Sequence, residues 1–357
     1  MKNRVAFWFE REWTRNSFWQ ILLLPLSWLF RLAIGLRRLA FRKGWLVSHR
    51  LPIPVIVVGN ITVGGTGKTP LVIWLVEHLR AAGYVPGVIS RGYGGTERGP
   101  FEVGPLSDAT QVGDEPVLIA MRTEAPLVIG RDRVAAGHTL LEAYPDCDVI
   151  ISDDGLQHYR LQRNIEIAVV DGETQFGNGR LLPAGLLREP IGRLREVDFI
   201  VVNDSNSDRA TLLDPIAVHG KMLAEPTSSG WPWAMRLSGQ VFYNAKDPGW
   251  HVLAGDLRGQ ALHAVAGIGR PQRFFDHLRQ LGLVIVEHPF PDHHPYRKED
   301  FAFGADAIVL MTEKDAVKCH SFARETWWVL AVTATVNERF GANLLAKLRP
   351  TYGPQTA

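Results

Sequence analysis

The sequence predicts an α/β protein: a parallel sheet flanked by helices, a second and smaller α/β domain, and an N-terminal helical segment that associates with a membrane. Three observations predict it. Apolar β-branched runs alternate with helical stretches from about Val55 to Asn203, the order that builds a parallel sheet with helices on both faces. One of these runs leads through a glycine-rich turn, Gly64-Gly65-Thr66-Gly67-Lys68-Thr69, into an apolar helix, which is the P-loop NTPase arrangement. Residues 1–50 carry ten Lys/Arg and two Glu, a charge of +8 in a chain that totals +2, so a basic segment precedes a mildly acidic body.

In the N-terminal segment, Asn16 to Phe30 are fifteen residues without charge, closed by Arg31 and followed by Arg37, Arg38, Arg42 and Lys43. A span needs about 20 apolar residues, so the run is short for one. No small-residue cleavage site precedes the arginines, and the segment is read as retained. Five of the eleven tryptophans, Trp8, Trp13, Trp19, Trp28 and Trp45, lie in these first 50 residues. Tryptophan beside Arg and Lys around an apolar helix is the pattern of an interfacial anchor. Pro25 is expected to kink the helix or to start a second one. The plain alternative is a helix packed on the protein's own core.

The whole chain has the composition of an ordered protein, with 46% hydrophobic and 21% charged residues. Its two cysteines, Cys147 and Cys319, exclude a disulfide framework and a cysteine-based metal cluster, and are read as buried small hydrophobes of a reducing compartment. Strands are predicted at 54–58, 86–90, 127–129, 148–152, 165–170 and 198–202, then at 283–287, 306–311 and 327–331. The division that follows is a membrane-associating segment at 1–50, a P-loop domain at 51–204, a polar, irregular connector at 205–247, and a second α/β domain at 248–357.

The loop's residue types follow from its chemistry. Glycines let backbone N–H groups converge on phosphate oxygens, and the helix N-terminus adds partial positive charge. Thr62, Val63, Gly64, Gly65, Thr66, Gly67, Lys68 and Thr69 are therefore read as the ATP-binding loop. Lys68 reaches the β- and γ-phosphates, and the Thr69 hydroxyl is placed for Mg²⁺. The usual pattern has glycine five positions before Gly67, where this chain has Thr62; Gly64 and Gly65 are expected to supply the turn instead.

A P-loop enzyme also needs a carboxylate at the end of a neighbouring strand. Asp153 and Asp154 close the run Val149-Ile150-Ile151-Ser152, one of them expected on Mg²⁺ and the other free to orient the nucleophile. Asp114 and Glu115, in Gly113-Asp114-Glu115-Pro116, open a predicted helix. They either complement the helix dipole or supply a general base for a hydroxyl nucleophile. Asp292-His293-His294 pairs an acid with imidazoles; hard Mg²⁺ prefers oxygen, so a zinc site is disfavoured against a proton relay or a plain surface loop. Arg91, Tyr93, Arg131 and Arg133 suit a phosphorylated substrate, or are structural surface residues. Thr312-Glu313-Lys314-Asp315 follows an apolar strand and resembles the base-reading Lys-Xaa-Asp motifs of GTP-binding proteins, with helix capping as the plainer account. Gly267-Ile268-Gly269 is read as a turn between strand and helix rather than half a dinucleotide fingerprint.

Taken in order, these motifs resemble one family, the tetraacyldisaccharide 4′-kinases of lipid A synthesis. The likeness rests on the tryptophan-rich start, Val58-Gly59-Asn60 with the P-loop, Ser90-Arg91-Gly92-Tyr93-Gly94-Gly95, and Gly113-Asp114-Glu115-Pro116. It continues through Asp153-Asp154-Gly155-Leu156-Gln157-His158, Phe176-Gly177-Asn178-Gly179-Arg180, Leu187-Arg188-Glu189-Pro190, Phe290-Pro291-Asp292-His293-His294 and Thr312-Glu313-Lys314-Asp315-Ala316. The resemblance implies transfer of the ATP γ-phosphate to the 4′-hydroxyl of a tetraacyl glucosamine disaccharide 1-phosphate, giving lipid IVA. It implies Asp114 as base with His293, metal roles for Glu189 and an acid of the Asp153-Asp154 pair, and substrate contacts that include Gln157 and His158. It further implies a monomer at the inner leaflet, on the cytoplasmic face of a bacterial inner membrane, with Mg²⁺ as cofactor and no nucleic-acid partner. The alternatives kept open are a P-loop regulatory ATPase and a kinase for another amphipathic lipid alcohol.

Overall fold

The computed structural model describes Trp13 and residues 18–203, 217–218, 221–222, 232–304 and 306–349. The predicted tryptophan Trp8, and the connector between 205 and 231 apart from the short strands Ala217–Val218 (β8) and Lys221–Met222 (β9), lie outside these residues.

A long helix, α1 (Phe18–Arg42), precedes the body. The first unit then runs β1 (Val55–Gly59), α2 (Lys68–Ala81), β2 (Pro86–Ser90), β3 (Phe101–Glu102), α3 (Ala109–Val112), α4 (Asp114–Thr123), β4 (Leu127–Ile129), α5 (Arg133–Ala143), β5 (Val149–Ser152), β6 (Ile165–Asp171) and β7 (Phe199–Asn203). All five residues of β1 are buried, which is why it reads as an unbroken apolar run. Its side chains still alternate. Ile56 and Val58 enter the core beneath α2 and α4, whereas Val55 and Val57 enter the opposite core with Val134 and Leu140 of α5.

The second unit contributes β11 (Val241–Asn244), β12 (His251–Leu253), β13 (Leu262–Ala266), α6 (Pro271–Gln280), β14 (Ile285–Pro289), β15 (Ile308–Thr312), α7 (Glu313–Cys319) and β16 (Trp327–Leu330), in the strand order β12-β11-β16-β15-β13-β14. The predicted strands agree with the observed ones to within two residues at either end.

The chain departs from the predicted division in one respect. β10 (Trp233–Ser238) pairs parallel with β7, and β17 (Thr333–Val336) pairs antiparallel with β10, so both belong to the first sheet, whose order is β17-β10-β7-β6-β1-β5-β2-β4-β3. The last helix, α8 (Glu338–Leu348), buries Phe340, Leu344 and Leu348 in that sheet's core. The chain therefore crosses between the units twice, and residues 233–238 and 241–244 are strands rather than irregular connector.

α1 also differs from the reading of the sequence. It continues through Pro25 and past Arg31 for 25 residues, and by length and composition it is able to cross a membrane. One proline removes one hydrogen bond and kinks a helix without having to end it. Leu32, Leu36 and Leu39 extend the apolar face beyond Arg31 and are exposed, as are Trp28 and Leu29. The buried residues of α1 are polar: Gln20 and Ser27. Ser27 Oγ donates to Leu181 O at 2.8 Å and accepts from Ala184 N at 3.1 Å, while Gln20 Oε1 accepts from Arg180. Polarity is thus largely inverted relative to a helix laid on a soluble core, although Phe30 packs, partly buried, against the core that holds Val55 and Val57.

Candidate active site

The phosphate loop grows out of β1. Asn60 is fully buried, and its Nδ2 reaches Thr66 Oγ1 at 3.3 Å and Thr62 Oγ1 at 3.4 Å, tying the two sides of the loop together. Thr62 pairs with Leu187 in an antiparallel bridge, and Val63 N donates to Leu186 O at 2.9 Å. The loop is extended at this point, so no glycine is needed there. The left-handed turns come later, at Gly64 (φ 101°) and Gly67 (φ 92°). A Cβ on Gly67 would meet Asn203 Nδ2 at 2.6 Å, which makes glycine obligatory. α2 starts at Lys68, so its first N–H groups and its dipole face the loop. Thr69 is buried at the helix start.

β5 lies beside β1, with Val57 opposite Ser152, so the two acids that follow β5 stand next to the loop. Their environments push them apart. Asp153 is buried and accepts from Ser90 Oγ at 3.1 Å, while its Oδ1 is buried without a partner. Burial first, then the neighbouring Glu115 and Asp154, push its carboxyl up to about 6. Burial acts on Asp154 too, but Lys68 Nζ at 3.5 Å and Arg188 at 3.1 Å outweigh it and hold Asp154 down at about 2. Glu189 is 1% exposed, and its carboxylate accepts from Gln157 Nε2 at 2.9 Å and from the Tyr159 hydroxyl. Gln157 Nε2 also donates to Asn60 O at 3.0 Å, which places the Glu189 carboxylate against the start of the loop.

The donors Thr69, Asp153, Asp154 and Glu189 are all oxygens, which suits Mg²⁺. The buried Oδ1 of Asp153, which has no hydrogen-bond partner, would fit as a cation ligand. Among the described residues no three His, Cys, Asp or Glu are grouped to hold a metal by themselves. A cation here would share protein oxygens with phosphate oxygens, as Mg²⁺ does in nucleotide sites.

The second unit meets the loop directly: a Cβ built on Gly269 would stand 3.6 Å from Gly65 N. Asp171, at the end of β6, holds this contact with ion pairs to Arg270 at 2.9 Å and Arg273 at 2.5 Å, and its carboxyl lies at about 2, those two arginines overcoming the effect of burial. The same interface joins the candidate base to the candidate histidine. Asp114, 4% exposed at the start of α4, accepts from His293 Nδ1 at 2.9 and 3.1 Å. The hydrogen bond to Asp114 raises the His293 pKa despite burial. Burial would raise Asp114, but His293, Lys314 and Lys318 bring it below the ordinary value.

The candidate substrate residues divide into two groups. Arg91 and Arg131 are exposed, as is Tyr93, whose ring stands edge-on to His293 at 5.2 Å. Arg133 points inward. It is 2% exposed and donates to Gly130 O at 2.8 Å and to Asp153 O at 3.4 Å, so it braces the acid turn from below. Beside it, burial and then the Arg133 charge push His158 down to about 4, so this imidazole is neutral at pH 7. Asp315 is fully buried and its N–H bonds Thr312 Oγ1, so this motif caps a helix. The reading of the residues assigned no role to Arg188, though it stands one position before Glu189. Its guanidinium geometry on Asp154 has no signature in local sequence.

A phosphate loop, a split acid pair and a carboxylate–imidazole pair on one face define a P-loop kinase. The family model for "Tetraacyldisaccharide-1-P 4′-kinase" matches residues 19–349. A tetraacyldisaccharide 4′-kinase of Methylobacillus flagellatus is 50% identical over 348 residues, covering 98% of each chain. One from Azoarcus sp. is 49% identical, covering 94% of this chain and 96% of its own. The crystal structure of LpxK from Aquifex aeolicus in complex with ATP superposes with a TM-score of 0.76 at 28% identity, over 93% of this chain and all of that one. The chain belongs to the tetraacyldisaccharide 4′-kinase family and is an ATP-dependent kinase of lipid A biosynthesis.

Proposed function

We propose that phosphate transfer to the 4′-hydroxyl of a tetraacyl disaccharide 1-phosphate runs through Asp114, His293 and Lys68. The observation that carries this reading is the 2.9 Å contact between His293 Nδ1 and the buried Asp114 carboxylate, at the interface that also touches the phosphate loop. Asp114 accepts the hydroxyl proton, and His293 orients the carboxylate and stabilises its charge. Residues 62–69 cradle the phosphates, and Lys68 turns from Asp154 to the γ-phosphate once nucleotide is present. Mg²⁺, held by Thr69, one or both of Asp153 and Asp154, and Glu189, would neutralise phosphate charge. Arg91, Tyr93 and Arg131, all exposed, meet the lipid's sugar-phosphate head, with the Tyr93 ring standing against His293. Gln157, His158 and Arg133 support this reading as the layer beneath the acid turn.

The outward apolar face of α1, with the basic cluster at its C-terminal end, supports association with the cytoplasmic face of a bacterial inner membrane, where a lipid hydroxyl can meet ATP. The test is incubation with labelled ATP, Mg²⁺ and the tetraacyl disaccharide 1-phosphate. A bis-phosphorylated lipid is expected from the wild type, with turnover lower by about 10²–10⁴ in Asp114→Ala. Label released only as free phosphate, or an unimpaired Asp114→Ala, would overturn the reading.

A further inference from the structure

The segment Thr312–Ala316 has no part in the reading above, yet its fully buried Asp315 carries a carboxylate held by donors from four residues. It accepts from Gly267 N at 3.2 Å, Tyr296 OH at 3.2 Å, Thr312 Oγ1 at 2.6 Å and Lys318 Nζ at 2.9 Å. A buried carboxylate with this set of donors is fixed in place. Two of the donors lead to the transfer centre from opposite sides. The carbonyl of Gly267 accepts from His293 N at 3.2 Å, and His293 holds a φ of 56°, a conformation that persists in a non-glycine residue only when its surroundings impose it. Lys318 Nζ lies 4.0 Å from Asp114 Oδ2. Asp114, His293, Gly267, Asp315 and Lys318 thus form a closed ring of contacts. Gly267 is held closely in that ring, since a Cβ there would come within 2.7 Å of Tyr296 OH.

We propose that Asp315 is a positioning residue for phosphate transfer: through Gly267 it sets the imidazole of His293, and through Lys318 it sets a cation beside Asp114. The proposal rests on the assignment of Asp114 and His293 as the proton-accepting pair. The other charged or titratable groups that face the pair are Glu115 and Lys314, which contact each other, Asp292 next to His293, and Tyr93 on the exposed side. Tyr296 lies beneath Lys318, 4.9 Å from its Nζ.

The test is steady-state kinetics on the full chain with ATP and the lipid acceptor. Asp315→Asn keeps the volume and removes the charge; kcat is expected to fall by about 10²-fold, the cost of a small misplacement of reacting groups, with the ATP KM held within about threefold. Lys318→Met is expected to move the acidic limb of the kcat–pH profile to higher pH, because Asp114 and His293 hold their protons more tightly without the neighbouring cation. Lys318→Arg should restore it. In an Asp114→Asn background, Asp315→Asn should add less than about threefold, since both act through one pair. A wild-type rate in Asp315→Asn, additive losses in the double variant, or an unmoved Lys318→Met profile would overturn the proposal. If Asp315→Asn fails to fold, the Lys318→Met profile decides. An inactive Asp114→Asn beside a fully active Asp315→Asn removes this proposal alone, whereas a fully active Asp114→Asn removes the base assignment and this proposal with it.

Discussion

His293 Nδ1 lies 2.9 Å from the carboxylate of Asp114, although the two are 179 positions apart and belong to different units. The contact sets His293 up as a charged partner, because the folded histidine has a raised pKa and the folded aspartate a lowered one.

The sign of the resulting pH dependence follows from linkage. The stability contributed by charged His293 is complete below about 6.5, the value of an unfolded histidine, and is lost as pH rises through its higher folded value. The matching contribution of Asp114 is present above about 3.9 and fails only as pH falls through its lowered value. His293→Gln should therefore lower Tm more at about pH 6 than at about pH 9. Thermal melts of the two proteins across this range check it, and a Tm difference independent of pH would rule out the ion pair.

Asp153 makes a second prediction, on metal demand. Its carboxyl is pushed up to about 6 by burial and by Glu115 and Asp154, so a proton competes for the oxygen a cation would use. The Mg²⁺ concentration for half-maximal turnover should rise as pH falls below about 6, and EDTA should abolish turnover. Asp153→Asn should need more Mg²⁺ at every pH and lose the pH dependence. A wild-type Mg²⁺ requirement that stays flat through this range would show that Asp153 is not a ligand.

The sequence carried most of this fold because the central strands of the first sheet, β1, β2 and β4–β7, are buried on both faces, and such strands read as apolar runs whatever their partners are. It did not carry the destination of β10 and β17. Strands of four to six half-buried residues say nothing about which sheet they join, and the first of them follows residues outside those described. The phosphate loop and the acid pair were legible because their chemistry is local, glycines before a helix and acids after a strand. Arg188 on Asp154, Arg133 beneath Asp153, and Lys318 beside Asp114 were not, because each depends on where a long side chain ends after the chain has folded. The burial of Asp315 was not legible for the same reason: spacing does not tell where a carboxylate ends up once the chain has folded.

The two arginines Arg91 and Arg133 make a third prediction. Arg91 is exposed beside Tyr93, and Arg133 is buried with its charge spent on backbone carbonyls. Arg91→Ala should raise the KM for the lipid acceptor and leave Tm and the ATP KM unchanged. Arg133→Met should lower the unfolding free energy by about 1–3 kcal/mol, because the carbonyls of Gly130 and Asp153 lose a buried donor. Denaturant unfolding paired with acceptor titration separates them. An Arg133→Met protein of full stability but weakened acceptor binding would make it a substrate residue after all.

The inverted helix α1 makes the last prediction, because its two faces can be tested separately. Its polar side docks on the body through Ser27, which uses its hydroxyl both as donor and as acceptor within residues 181–184. Its apolar side leaves Leu22 54% and Leu29 63% exposed among the described residues. Burying a valine in place of Ser27 leaves a carbonyl and an N–H unpaired, so Ser27→Val should destabilise the fold by about 1–3 kcal/mol while vesicle binding persists. Leu22→Glu with Leu29→Glu should do the reverse, since two charges placed against hydrocarbon each oppose insertion by several kcal/mol, on the order of 2–3, while the docked face is untouched. Sedimentation with vesicles containing anionic lipid, set beside thermal melts, reads both quantities on the same proteins. If the Glu pair left vesicle binding intact, the apolar face would not be the membrane contact, and the membrane-bound reading of this kinase would lose its structural basis.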